Sequence, residues 1–265
     1  MRRITTLFLV LMTFPAWAEP VTIESGAVAL RAEFDRPAGA PQAGIVALHG
    51  CGGMFPKRDG FWRDQLLSLG HPVVFPDSFV SRGLGSQCRE PNRTVTAGGA
   101  RRQDAYASAA WLVAQPGTPP GGVVLVGWSD GGSTVLAAAN DPPPGLLRGI
   151  VAFYPGCRVW AERVSWVPAV PVLILMGADD DWTPAEPCRT LGARYPAMIT
   201  IILYPGAYHD FDVPNLPIVV RTGLAYTATG SGSAHTGSDP AAQADALRQV
   251  PAFLAQLPPA MATPK

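Results

Sequence analysis

The 265-residue chain carries 20 basic and 20 acidic side chains, no formal net charge at neutral pH, and 48% apolar residues. That balance excludes the electrostatic footprint of a nucleic-acid or anionic-membrane binder and supplies enough apolar side chains for one substantial core. No CxxC or HxxxH spacing suggests a metal site, so neither a metal nor an organic cofactor is expected.

The chain opens with Arg2 and Arg3, an apolar run from Leu7 to Phe14, and the small-x-small triplet Ala16-Trp17-Ala18. That order reads as a secretory signal peptide over residues 1–18, cleaved after Ala18. The apolar run is shorter than the roughly 20 residues a membrane span needs. With no cysteine directly after the cleavage site, no lipid anchor is expected. Losing Arg2 and Arg3 leaves 18 basic against 20 acidic residues, a charge near −2. Residues 19–265 then form a single exported domain, periplasmic or secreted. In that compartment Cys51, Cys88, Cys157 and Cys188 favour disulfides, and chain order suggests Cys51–Cys88 and Cys157–Cys188; buried free thiols are the competing reading.

Val28–Phe34 alternates apolar and polar residues and predicts a half-exposed strand. Ala43–Gly50, Pro72–Asp77, Gly122–Trp128, Gly149–Gly156, Val170–Asp180 and Met198–Gly206 are short, nearly continuous apolar runs, as expected of strands buried on both faces. Between them Gly60–Gly70, Ala100–Gln115, Ser129–Asn140 and Pro184–Tyr195 read as helices. Pro240–Leu257 closes the fold, with Pro251 expected to kink or split its helix. Buried strands alternating with helices predict an α/β fold, a mostly parallel sheet covered on both faces. Residues 212–240, rich in Gly, Ser, Thr and Pro, read as a flexible surface loop beside the site or a partly disordered excursion.

Within VVLVGWSDGG, Ser129 lies between Gly127 and Gly131, after an apolar strand and before a good helix start. That is the setting of a nucleophile elbow, where glycines let the chain turn sharply and lift the hydroxyl above the sheet. A serine hydroxyl needs a base to take its proton and an acid to orient that base. GADDDWTP and PGAYHDFD follow the next suitable strands, giving the order Ser129, Asp180, His209. Asp181 and Asp179 compete with Asp180. His71 and His49 read as structural, while His235, in the long loop, remains a second candidate base. Asp210 and Asp212 read as solvated or as ties of the loop. His49–Gly53 (HGCGG) follows a strand, and the N–H groups of Cys51 and Asp130 are the candidate oxyanion donors.

HGCGG, PDSFVSRG, GWSDGGS, FYPG, GADDDWTP and YPGAYHDFD occur in an order that resembles the dienelactone hydrolase family of α/β-hydrolases. The resemblance implies an α/β-hydrolase fold of about seven or eight strands and a nucleophile–Asp–His triad that cleaves esters or lactones through an acyl-enzyme. Gly177-x-x-Asp180 resembles the family's acid loop and favours Asp180. The founding members carry a cysteine nucleophile and a nearby glutamate; this chain has Ser129, and Gly50 where that glutamate would stand. Family members bind a substrate carboxylate through arginine after a PD motif. Arg82 falls one residue later than that pattern, leaving substrate binding and a surface ion pair as its two readings. The expected activity is that of an exported serine esterase acting on a small-molecule ester or lactone. A peptidase or acyltransferase with the same triad, or a non-catalytic envelope binding protein, are the alternatives. Trp128 and Trp182 are read as either acyl-pocket walls or partly core.

Overall fold

The computed structural model describes residues 18–258. The proposed signal segment, residues 1–18, lies outside that range apart from Ala18 at its edge.

An eight-stranded sheet runs in the order β1-β2-β4-β3-β5-β6-β7-β8. β1 (Glu19–Ser25) and β2 (Val28–Asp35) form an antiparallel hairpin, and β2 also pairs antiparallel with β4 (Val73–Pro76). From β4 onward the neighbours are parallel: β3 (Ile45–Leu48), β5 (Val123–Trp128), β6 (Leu147–Phe153), β7 (Val172–Gly177) and β8 (Ile199–Tyr204). Every residue of β3, β4, β5 and β7 is buried, so these strands read as apolar runs without alternation.

Helices α1 (Pro56–Ser68), α2 (Ala100–Val113), α3 (Asp130–Ala139), α4 (Arg158–Glu162), α5 (Ala185–Arg194) and α6 (Pro240–Gln256) complete the fold. α3 is almost wholly buried, with small residues on both sides that let it sit close to β5 and β6. Asp239 caps α6 by accepting the N–H groups of Ala241 and Ala242, and Pro240 occupies the first turn, where its missing N–H costs nothing. α6 is one helix through Pro251 and is not split there.

The long Gly/Ser/Thr stretch carries more order than its composition suggests. Val219–Thr222 (β9) and Ser233–Thr236 (β10) pair as an antiparallel hairpin. A small separate apolar cluster of Cys51, Cys88, Trp182, Leu224 and Ala234 seats it. Backbone bonds from Ala225 N–H to Cys88 O and from Ala228 N–H to Asp181 O tie it to two site loops. Cys51 is bonded to Cys88 and Cys157 to Cys188, closing spans of 37 and 31 residues. On chain-entropy grounds each such cross-link stabilises by roughly 4 kcal/mol.

Candidate active site

β5 ends at Trp128, and the next residue takes φ 56° and ψ −116°, a conformation that L-residues rarely adopt. The elbow is possible because its neighbours lack side chains. A Cβ on Gly127 would lie 2.3 Å from Gly131 O, and one on Gly131 would lie 2.0 Å from Leu48 O. Ser129 N–H donates to Phe153 O across the sheet, and Ser129 O accepts the N–H of Ser133, so the strained residue is held from both sides.

The Ser129 hydroxyl lies 2.9 Å from His209 Nε2. On the other ring nitrogen, His209 Nδ1–H donates to Asp180 Oδ2 at 2.7 Å. Asp180 Oδ1 accepts the N–H groups of Trp182 and Thr183 at 2.9 and 2.8 Å, which fixes the carboxylate's rotamer within its own turn. Ser129, Asp180 and His209 are all buried. Of the three adjacent aspartates, Asp180 alone meets His209. Asp181 faces the hairpin instead and accepts both the N–H and the Nδ1–H of His235, at 2.7 and 2.8 Å. His235 stacks on Tyr208 and is not in the Ser129 array.

His209 feels opposing forces. Burial pushes its imidazole down, but the charge of Asp180 and the hydrogen bond to it more than offset this, and the net direction is up from 6.5. A general base must be neutral to accept the serine proton, so activity falls as pH drops through this raised value. The acid limb of kcat/KM on a neutral ester is expected to have its midpoint above 6.5. A midpoint at or below that value would contradict His209 as the base in this environment.

The N–H groups of Cys51 and Asp130 donate to no protein acceptor among the described residues. Cys51, Ser129 and Asp130 line one common cavity. The loop bearing Cys51 is fixed by several contacts. His49 Nδ1–H donates to Gly50 O at 2.8 Å and its Nε2 accepts the N–H of Ser78. Burial and the charge of Arg101 push the His49 imidazole well below 6.5, so it is neutral and structural. Arg101, itself buried, donates to His49 O at 2.6 Å and also pairs with the Asp130 carboxylate. One guanidinium therefore joins the two backbone segments that carry the free N–H groups.

Arg82 does not reach the site. Its guanidinium forms a two-pronged pair with the fully buried Asp104 at 2.8 Å for each bond, and donates to Ser78 O. A buried carboxylate without such a partner would be costly, so Arg82 is committed there. The reading as a substrate ligand is corrected to an ion pair, partly buried rather than on the open surface. Five other arginines line the cavities that Ser129 borders: Arg93, Arg158 and Arg163 in the larger, and in the smaller Arg58, held by the buried Asp59, and Arg221, which sits over the Trp182 ring. No sequence signal marks them, because helix and loop arginines read as solvated.

Of its two sequence readings, solvated or a tie of the loop, Asp212 takes the second: it is fully buried and bonded to the core. Its carboxylate accepts Trp62 Nε1–H and Trp128 Nε1–H on one oxygen, at 2.7 and 2.8 Å, and the Tyr154 hydroxyl on the other at 2.6 Å. Burial pushes its carboxyl above the usual range, while the Tyr154 bond and the charge of Arg58 pull it back. Asp212→Asn would set an NH2 group against one of these donors. It is expected to destabilise by about 2–3 kcal/mol in urea unfolding; a change below about 0.5 kcal/mol would refute this role. Trp128 is thus core, whereas Trp182 faces the site, its ring 4.7 Å from that of His209.

The parallel sheet, the strained serine after its central strand, and the histidine and aspartate on loops following later strands define an α/β-hydrolase. The family model for the dienelactone hydrolase family matches residues 30–257. The chain belongs to the dienelactone hydrolase family, whose members are hydrolases. Among solved structures it resembles a dienelactone hydrolase-like promiscuous phosphotriesterase from metagenomic libraries, at 21% identity and TM-score 0.68, covering 91% of this chain and 98% of that one. A putative dienelactone hydrolase from Klebsiella pneumoniae subsp. pneumoniae gives 20% identity and TM-score 0.68, with 92% and 100% covered. An α/β serine hydrolase without a lid from Xanthomonas campestris gives 20% identity and TM-score 0.53, with 74% and 87% covered. At these identities the likeness concerns the fold. No curated protein matches the chain.

Proposed function

We propose that this protein is an exported serine hydrolase that cleaves carboxylic esters or lactones through an acyl-enzyme. The observation that carries this reading is the unbroken array Asp180–His209–Ser129, with bonds of 2.7 and 2.9 Å. Ser129 Oγ attacks the carbonyl carbon as His209 Nε2 takes its proton. Negative charge on the carbonyl oxygen meets the N–H groups of Cys51 and Asp130. The tetrahedral species collapses, the bond to the leaving oxygen breaks, and His209 returns the proton to that oxygen. Water, deprotonated by His209, then attacks the acyl-serine; the bond to Oγ breaks, the carboxylic acid is released, and His209 returns the proton to Ser129 Oγ. Asp180 keeps the His209 proton on Nδ1 throughout and stabilises the imidazolium. The Cys51–Cys88 and Cys157–Cys188 bonds suit an oxidising compartment and support the export reading.

A fluorophosphonate probe tests the nucleophile directly. Covalent labelling of the wild type at Ser129, with none in Ser129→Ala, is the expected result. Labelling elsewhere, or none at all, would refute the reading.

A further inference from the structure

Two cavities meet at Ser129 and share Cys51, Ser129 and Trp182 as walls. The larger, about 660 Å³, has a mainly apolar wall with Trp160, Tyr226 and Pro187 in it, beside the arginines Arg93, Arg158 and Arg163. The smaller, about 240 Å³, carries Arg58, Asp210 and Arg221 in its wall. His209 lines the smaller cavity and not the larger.

That asymmetry gives each cavity a side of the scissile bond. In the tetrahedral species the carbon carries Ser129 Oγ, the oxyanion, the leaving oxygen and the acyl substituent. The oxyanion is directed to the N–H groups of Cys51 and Asp130. The leaving oxygen must lie within reach of His209 Nε2, because that nitrogen returns the proton to it. The leaving group therefore departs through the cavity that His209 lines, and the acyl substituent takes the other. We infer that the enzyme is selective for esters joining a bulky aryl or alicyclic carboxylic acid, held in the larger cavity, to a short alcohol, released into the smaller one. This inference rests on the serine-hydrolase reading above and names its substrate class.

Methyl naphthylpropanoate and naphthylethyl acetate test the assignment. They are isomers with similar unactivated alkoxide leaving groups and differ in which side of the ester bears the ring. The wild type is expected to show kcat/KM at least about tenfold higher for the methyl ester, the range a shape-selective apolar pocket delivers. Equal rates or the reverse preference would overturn the inference. Val159 lines the larger cavity from an exposed position, so a charge there can be introduced without burying it in the core. Val159→Glu is expected to shrink the preference by about threefold or more. An unchanged ratio would overturn the placing of the acyl group. If neither isomer is cleaved while the fluorophosphonate still labels Ser129, the substrate class falls and the nucleophile stands. If labelling fails as well, both fall.

Discussion

Ser129→Ala is expected to lower kcat on a short p-nitrophenyl ester by about 10⁴-fold or more, leaving the fold intact. The size follows from how the site is built. Without the hydroxyl there is no acyl-enzyme, and His209 has no proton to take. The candidate oxyanion donors, fixed by Arg101 and by the Cys51–Cys88 bond, survive the substitution. Residual rate above the uncatalysed reaction would measure what those donors contribute alone. Steady-state hydrolysis beside thermal unfolding checks the prediction. A variant that keeps more than about a tenth of wild-type kcat would exclude Ser129 as the nucleophile. Removing the hydroxyl also relieves nothing in the backbone, since alanine dislikes φ 56° as much as serine does. Any gain in stability would therefore have to come from the buried polar group itself.

The second large effect separates two adjacent carboxylates. Asp180→Asn should reduce kcat by about 10⁴-fold, because an amide favours the wrong tautomer of His209 and cannot stabilise its cation. Asp181→Asn should stay within about threefold, since that carboxylate holds His235 on the hairpin and is partly exposed. The pH profile gives an independent readout. In Asp180→Asn the charge that lifts the His209 imidazole is gone and burial dominates, so the acid limb should move to lower pH than in the wild type. If Asp181→Asn proves the more damaging variant, the triad acid has been misassigned.

The parallel sheet was legible because Val123–Val126 and Val172–Met176 are buried on both faces, which leaves a continuous apolar run in the sequence. β1 was not read: its apolar positions are few and spaced, since it is an edge strand with one solvated face. The elbow was legible because Gly127 and Gly131 are required by close backbone approach, a local constraint that a short motif can carry. Likeness of motif leaves Arg82 between a substrate ligand and an ion pair. Its true neighbour, Asp104, lies on α2, and a pairing 22 positions apart has no local signature. Arg58 and Arg101 were passed over for the same reason, as only tertiary packing distinguishes a buried guanidinium from a solvated one. Among the three aspartates the decisive fact is a turn in which Asp180 caps two N–H groups of its own loop, and that geometry is set by the backbone after β7.

Asp212 stands three residues after His209 and binds side chains from α1, β5 and the end of β6 at once. The loop that delivers the base is thereby indexed against the interior of the molecule. A mutational screen scored on turnover would consequently report on the seating of Trp62, a residue that lines neither cavity beside Ser129. Substitutions there would look like kinetic mutants while acting through alignment of the loop that carries His209.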